Sequence, residues 1–248
     1  MTQLRVLISG GGIAGPAAAF WLSRLGHSCT ILERFPSLRT GGQQIDIRGQ
    51  GIEAAKRMGI LGTIREHAVD EGGLQYVDMQ SFTSEYEIMR GDLCKIIYDA
   101  AERRTKYRFG TSVESFENVG DKVNVKLTGG TTETYDLLIA ADGQGSRLRR
   151  KMFQNEPEST YTRYLGLNGC FYGLPRKPGD PNLATVYSAP GRRVMSTRWH
   201  SKDRGQAYIL TMSHEKEFEE VMKKDVASQK KLFSEIFQDA GWQAPRLI

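Results

Sequence analysis

Gly10-x-Gly12-x-x-Gly15 follows an apolar run at residues 6–8, and Glu33 stands eighteen residues after Gly15. Residues of these types at this spacing can hold a dinucleotide. Gly10 permits a tight turn, Gly12 lets the backbone approach a pyrophosphate, and Gly15 lets the following helix pack close to a sheet. Free N–H groups and a positive dipole at the start of that helix favour the phosphates. Glu33 closes the second strand, where a carboxylate can accept hydrogen bonds from both hydroxyls of an adenosine ribose. The same carboxylate repels a 2′-phosphate, so FAD or NAD suits the pocket better than NADP. Arg34 is placed to lie over the adenine or to point to solvent.

The elements that must position these residues are a strand at 6–8, a helix over about 16–25 stopped by Gly26, and a strand at 28–32. Pro16 is tolerated in the first helical turn. A short strand is expected at 43–47, helices at 52–58 and 61–69, and paired strands at 74–81 and 86–89 around the Gly72-Gly73 break. Arg90 opens a helix, because Leu93, Ile96, Ile97, Ala100 and Ala101 fall at helical spacing. Residues 113–116, 123–127 and 131–135, separated by glycine turns, read as a three-stranded meander. The apolar run at 136–141 has the character of a central parallel strand and ends in Asp142-Gly143. Beyond Phe153 the pattern is a strand at 165–172, a hairpin of 184–188 and 193–199, a strand at 206–212, and helices at 215–223 and 228–240.

The 248 residues suffice for one large domain or two smaller ones. Hydrophobic content of 39% and charged content of 25% are ordinary for a soluble globular protein. No apolar stretch has the length of a membrane span, and the N-terminus carries no signal-peptide pattern. Cys29, Cys94 and Cys170 are isolated, which suggests buried thiols in a reducing, cytoplasmic compartment. The four histidines show no metal spacing. The net charge is +5. The basic run Arg147, Arg149, Arg150 and Lys151 has no interleaved aromatics, so it reads as a solvated helix face and not as a nucleic-acid surface.

Four features stand in one order: Gly10-x-Gly12-x-x-Gly15 with Glu33, the Arg90-x-x-Leu93 helix start, Ala141-Asp142-Gly143-x-x-Ser146, and a β-rich segment. This order resembles the FAD-dependent aromatic hydroxylases, the single-component flavoprotein monooxygenases with the para-hydroxybenzoate hydroxylase fold. Within that family, residues 41–51 look most like the tetracycline-modifying and polyketide-tailoring branch. The resemblance implies an α/β fold: a Rossmann-like FAD-binding domain, three-layered, with a parallel sheet and a β-meander, and a second α+β substrate domain on a mixed or antiparallel sheet. The FAD domain would comprise 1–73 and 90–153, and the substrate domain 74–89 and 154–248. The implied FAD contacts are Gly10, Gly12, Ile13, Ala14, Gly15, Glu33, Arg34, Asp46, Arg90, Asp142 and Gly143. Arg90 would offset phosphate charge, and Asp142-Gly143 would also meet the nicotinamide donor. In such enzymes NAD(P)H reduces FAD, dioxygen adds to give a C4a-hydroperoxide, and its terminal oxygen passes to an electron-rich aromatic or polyketide-like substrate. The chemistry is the cofactor's, so no catalytic side chain is named. Asn168, Arg193 and Tyr208 are the candidate substrate contacts.

Family members continue past the equivalent of Trp242 into a second flavin motif, Gly-Asp-Ala with a proline-containing loop and a long helix. Residues 241–248 do not supply it, and the substrate domain is therefore expected to be incomplete. Three readings stay open: a fragment of a longer enzyme, a short homologue completed by a partner chain or a second copy, and a non-redox member that binds or cyclises a polyketide-like ligand. A simple NAD-dependent dehydrogenase is a weaker alternative, since Tyr161 to Leu165 offers no Tyr-x-x-x-Lys pair. A nucleotide-binding scaffold without catalysis is a further one.

Overall fold

The computed structural model describes residues 2–71 and 86–248. The chain divides into two compact units, one of Met1–Ala68 and Ile88–Thr162, the other of Val69–Glu87 and Arg163–Ile248. The strand anticipated at 74–81 and the Gly72-Gly73 break lie outside the described residues.

In the first unit β1 (Arg5–Ser9) leads through α1 (Ala14–Arg24) into β2 (Ser28–Glu33). Then come β3 (Gln44–Asp46), α2 (Gln50–Met58) and α3 (Leu61–Glu66). The chain re-enters at β4 (Glu87–Met89), which pairs with β3, and continues into α4 (Arg90–Glu102) and β5 (Thr105–Phe109). The meander of β6 (Val113–Val119), β7 (Lys122–Leu127) and β8 (Thr132–Tyr135) precedes β9 (Leu137–Ala140) and α5 (Arg147–Met152).

Four strands form a parallel sheet in the order β5-β2-β1-β9. Successive residues of a strand face opposite sides, and β1 shows it. Leu7 joins Leu32 and the meander's Val123, Val125, Leu127 and Tyr135. Val6 and Ile8 join Ile31 and Ala19 of α1 on the other side. Helix, sheet and meander are therefore three layers, and β1 is wholly buried at Val6, Leu7 and Ile8. Cys29 and Cys94 are buried in this unit, and burial pushes both thiols up, away from reactivity.

Two features differ from the sequence reading. β5 is a full sheet strand, although its Lys106 and Arg108 break the apolar pattern. β9 lies at the edge of the sheet and not at its centre: Leu137 and Ala140 are exposed, and among the described residues no strand pairs with its outer side. An apolar run reports covered faces and carries no information about a neighbour along the hydrogen-bonding direction.

In the second unit β10 (Asn168–Pro175), β11 (Thr185–Ala189), β12 (Arg193–Trp199) and β13 (Arg204–Thr211) form an antiparallel sheet in the order β10-β13-β12-β11. α6 (Glu215–Val221), α7 (Val226–Phe237) and α8 (Ala244–Leu247) follow. Met195, Trp199, Ala207 and Ile209 face Phe218, Phe233, Ile236 and Phe237 in one core. Arg198 points to the opposite face and pairs with Glu71 at 2.6 Å and Glu87 at 2.5 Å, all three side chains nearly buried. Arg246 ties α8 down through Asp180, at 2.8 and 2.9 Å, and through the Pro175 carbonyl.

Candidate functional site

The glycine loop joins β1 to α1, and its three glycines answer three separate demands. Gly10 donates to the Leu32 carbonyl at 2.8 Å and has φ +118°, and a Cβ there would lie 2.2 Å from the Ala141 carbonyl oxygen. A Cβ on Gly15 would lie 2.0 Å from the Gly10 carbonyl oxygen, which measures how closely α1 meets the loop. At Gly12 a Cβ would meet only Arg90 Nη2 at 3.3 Å, so this backbone is open to a ligand. No side chain caps α1, and its first N–H groups are left for an anion.

Around the loop lies a cavity of about 610 Å³ whose lining includes Gly10, Gly12, Ile13, Ala14, Glu33, Arg34, Arg90, Asp142 and Gly143. It stands at the carboxyl ends of β1, β2 and β9, where the chain leaves β1 for α1 on one face of the sheet and leaves β9 for α5 on the meander side. Open α/β sheets bind ligands at this place. Gly15 lies behind the lining. Asp46 is outside it and pairs with Arg48.

Glu33 is held in place by the backbone. Its Oε2 accepts from the Gly11 N–H at 3.0 Å and its Oε1 from the Phe35 N–H at 3.1 Å. Each carboxylate oxygen keeps a further lone pair, so the group can still accept from a diol. Arg90 is the first residue of α4, a position the helix dipole disfavours for a cation. Carbonyls hold it there: its N–H donates to Gln43 and its Nη1 to Gly41 at 3.3 Å. Its stem lies on Gly42, where φ is +139° and a Cβ would come within 2.7 Å of Arg90 Cδ. Gly42 thus clears the path of this side chain toward the loop.

Asp142 performs a helix-capping task. Its Oδ2 accepts from the N–H groups of Arg147 and Leu148 at 3.0 and 3.3 Å, and its Oδ1 accepts from the Ser146 hydroxyl. Ser146 in turn caps Arg149. Arg34 and Arg39 each place a guanidinium 4.9 Å from the Phe35 ring centre. The lining carries Arg34, Arg39, Arg90 and Arg147 against Glu33 and Asp142, an excess of two positive charges that matches a pyrophosphate diester. The glycine cradle, the oriented acid and this charge balance fit FAD. Phe35, Arg39 and Thr111 join the lining with no signal in the sequence. The basic run at 147–151 was the one available signal for Arg147.

The three substrate candidates are not brought together. Arg193 donates to the Pro190 carbonyl at 2.7 Å and is bound to Asp239 and the Ile236 carbonyl beside α7. Asn168 donates to Tyr164 Oη at 2.8 Å. Both share the Thr211 register position, on the face with the helices. Tyr208 points to the other face, where it meets Phe171 edge-on at 5.0 Å and donates to Gln206 Oε1 at 3.0 Å.

The chain is similar to the FAD-dependent monooxygenase asL4 of Sarocladium schorii, at 41% identity over 100% of this chain and 62% of that protein. It is also similar to the flavin-dependent monooxygenase eupH of Phoma sp, at 36% identity over 100% of this chain and 63% of that protein. The chain thus spans a little over three fifths of these curated relatives' length. Among solved structures, tetracycline destructases Tet(51) and Tet(55) superpose with TM-scores of 0.82 and 0.84. Each is 30% identical, with 99% of this chain and 65% of that one covered. Residues 3–245 match the model of the FAD binding domain, and the chain belongs to that family.

Proposed function

We propose that this chain holds FAD through its first unit and forms the larger part of a monooxygenase that inserts oxygen into an aromatic or polyketide-like small molecule, using NAD(P)H and dioxygen. The observation that carries the reading is the cradle: an open backbone at Gly12, an oriented Glu33 and a tethered Arg90 around one cavity. Glu33 accepts from the adenosine ribose. The first N–H groups of α1 and the Arg90 guanidinium meet the pyrophosphate, and Arg34 lies at the adenosine end. Asp142 acts on the cofactor indirectly, by fixing the Gly143 turn against the Gly10 loop. Asp46, paired with Arg48, sets the course of the chain after β3.

Bound FAD supplies the passage of electrons from NAD(P)H to dioxygen. The protein's part is to bind, orient and shield it, and no acid or nucleophile of this chain is required. The second unit is the substrate domain. Tyr208 and Phe171 offer an aromatic platform on the sheet face opposite the helices, whereas Asn168 and Arg193 serve the sheet's own structure. The likeness to the solved tetracycline destructases favours a fused-ring substrate.

The test is an absorption spectrum of the desalted protein after incubation with FAD. Retained flavin bands that bleach on addition of NAD(P)H support the reading. A well-folded protein that retains no flavin sinks the reading of this chain as a flavin holder by itself and leaves either a fragment lacking the second flavin motif or the non-redox alternative.

A further inference from the structure

A second polar cavity, of about 220 Å³, opens at the other end of the parallel sheet. Its floor is the meander-facing side of the strands. Arg5 neighbours Ser28, and Thr30 neighbours Lys106, in adjacent register positions. β8 closes it with Glu133 and Tyr135. Arg5, Lys106 and Arg108 stand against one carboxylate, so the lining carries two positive charges in excess.

The acids nearby are already engaged. Glu133 takes Arg108 at 2.5 Å and the Tyr135 hydroxyl at 2.7 Å. Those two partners hold its carboxyl below the usual carboxylate range. Asp136 accepts from the Arg5 N–H at 2.6 Å and pairs with Lys122. The Arg5 guanidinium lies 5.1 Å over the Tyr135 ring. Among the described residues neither it nor the Lys106 ammonium has an ion-pair partner. Glu133 and Asp136 feel the Arg5 charge but are shared with Arg108 and Lys122, so a positive excess is left in the cavity, and an anion between its cations lowers their mutual repulsion.

We propose that this cavity is an anion site for a phosphoryl group, separate from the cofactor cradle. Two hydroxyls, an ammonium and a guanidinium are donors of the kind that a tetrahedral dianion accepts from. A halide would leave most of them unused. The volume exceeds that of the phosphoryl group alone, so either free phosphate or a small phosphate ester fits.

The experiment is thermal unfolding of the 248-residue protein with inorganic phosphate, with glycerol 3-phosphate and with chloride, all at one ionic strength. Lys106→Met and Arg5→Met are run beside the wild type, and crystals soaked in tungstate locate the anion. The site predicts a saturable rise in Tm with phosphate but not chloride, weakened roughly tenfold or more in either variant. Protection by inorganic phosphate alone makes free phosphate the ligand, and added protection by glycerol 3-phosphate makes it an ester. An equal effect of chloride, an undiminished effect in both variants, or tungstate only at the Gly10–Gly15 loop overturns the proposal.

Discussion

Gly12 and Gly15 stand three residues apart in one loop, yet a methyl group on each would meet different atoms. At Gly15 it strikes a backbone oxygen at 2.0 Å, which cannot withdraw without moving β1 or α1. Gly15→Ala should destabilise the first unit by about 2–3 kcal/mol, read as a fall in urea midpoint. At Gly12 the methyl group meets the end of a flexible arginine and projects into the cavity. Gly12→Ala should leave the midpoint nearly unchanged while weakening FAD binding by roughly tenfold or more, read by flavin fluorescence. Equal loss of stability in the two variants would contradict this division of roles. Both glycines were legible in the sequence, because a backbone demand of this kind is written in the residue type. Phe35, Arg39 and Thr111 were not, because nothing in their local pattern says that the β2–β3 and β5–β6 loops converge on one cavity. For Asp142 the family resemblance implies a cofactor contact, and its hydrogen bonds show it capping the start of α5.

Arg198 and Asp180 carry the corresponding argument for elements. Arg198 binds Glu71 and Glu87 from the second strand of the β11–β12 hairpin, and the Trp199 N–H adds a bond to Glu71 at 3.0 Å. Burial opposes its charge, but the hydrogen bonds to Glu87 and Glu71 hold its pKa above the ordinary arginine value. Arg198→Met strands two buried carboxylates and should cost about 3 kcal/mol or more in chemical unfolding. Adding Glu71→Gln and Glu87→Gln to that variant should recover much of the loss. Asp180 is held below the usual carboxylate range by Arg246, against its burial, with a contribution from the Lys177 N–H. A carboxyl depressed in the folded state stabilises it above the unfolded pKa, and that stability is lost as pH falls through the folded value. Asp180→Asn should therefore lower stability by about 1 kcal/mol at neutral pH. The gap to wild type should close below about pH 4, as measured by Tm against pH. α8 was not foreseen, since four residues ending a chain carry no periodicity. Its anchor is a long-range ion pair that only the folded chain reveals.

At the scale of the whole molecule the outer side of β9, which no described strand pairs, bears on behaviour in solution. Leu137 on that edge and Met152 nearby are exposed, and they line a broad hollow of about 770 Å³ with Phe116 and Leu138. A parallel sheet edge made of Leu-Leu-Ile-Ala is a template for another strand or a second copy. The 248-residue chain should therefore associate with itself as concentration rises, and Leu137→Lys should shift it toward monomer in sedimentation velocity. Concentration-independent monomers in both proteins would show that the edge is inert. The meander and helices of the first unit were legible from periodicity, because they alternate apolar and polar residues at different periods, whereas their layering was implied by the family resemblance. The place of β9 was not, for the reason its faces already give. The pairing of β1 with β9 has a consequence in time. Val6 and Leu137 are neighbours in the sheet, although 131 residues of chain separate them. A ribosome releases the glycine loop first and the Asp142 turn that closes it much later. Until β9 and the Asp142 turn emerge, the nascent chain therefore carries half a cradle, and the full flavin site forms only as the last strand of the sheet arrives.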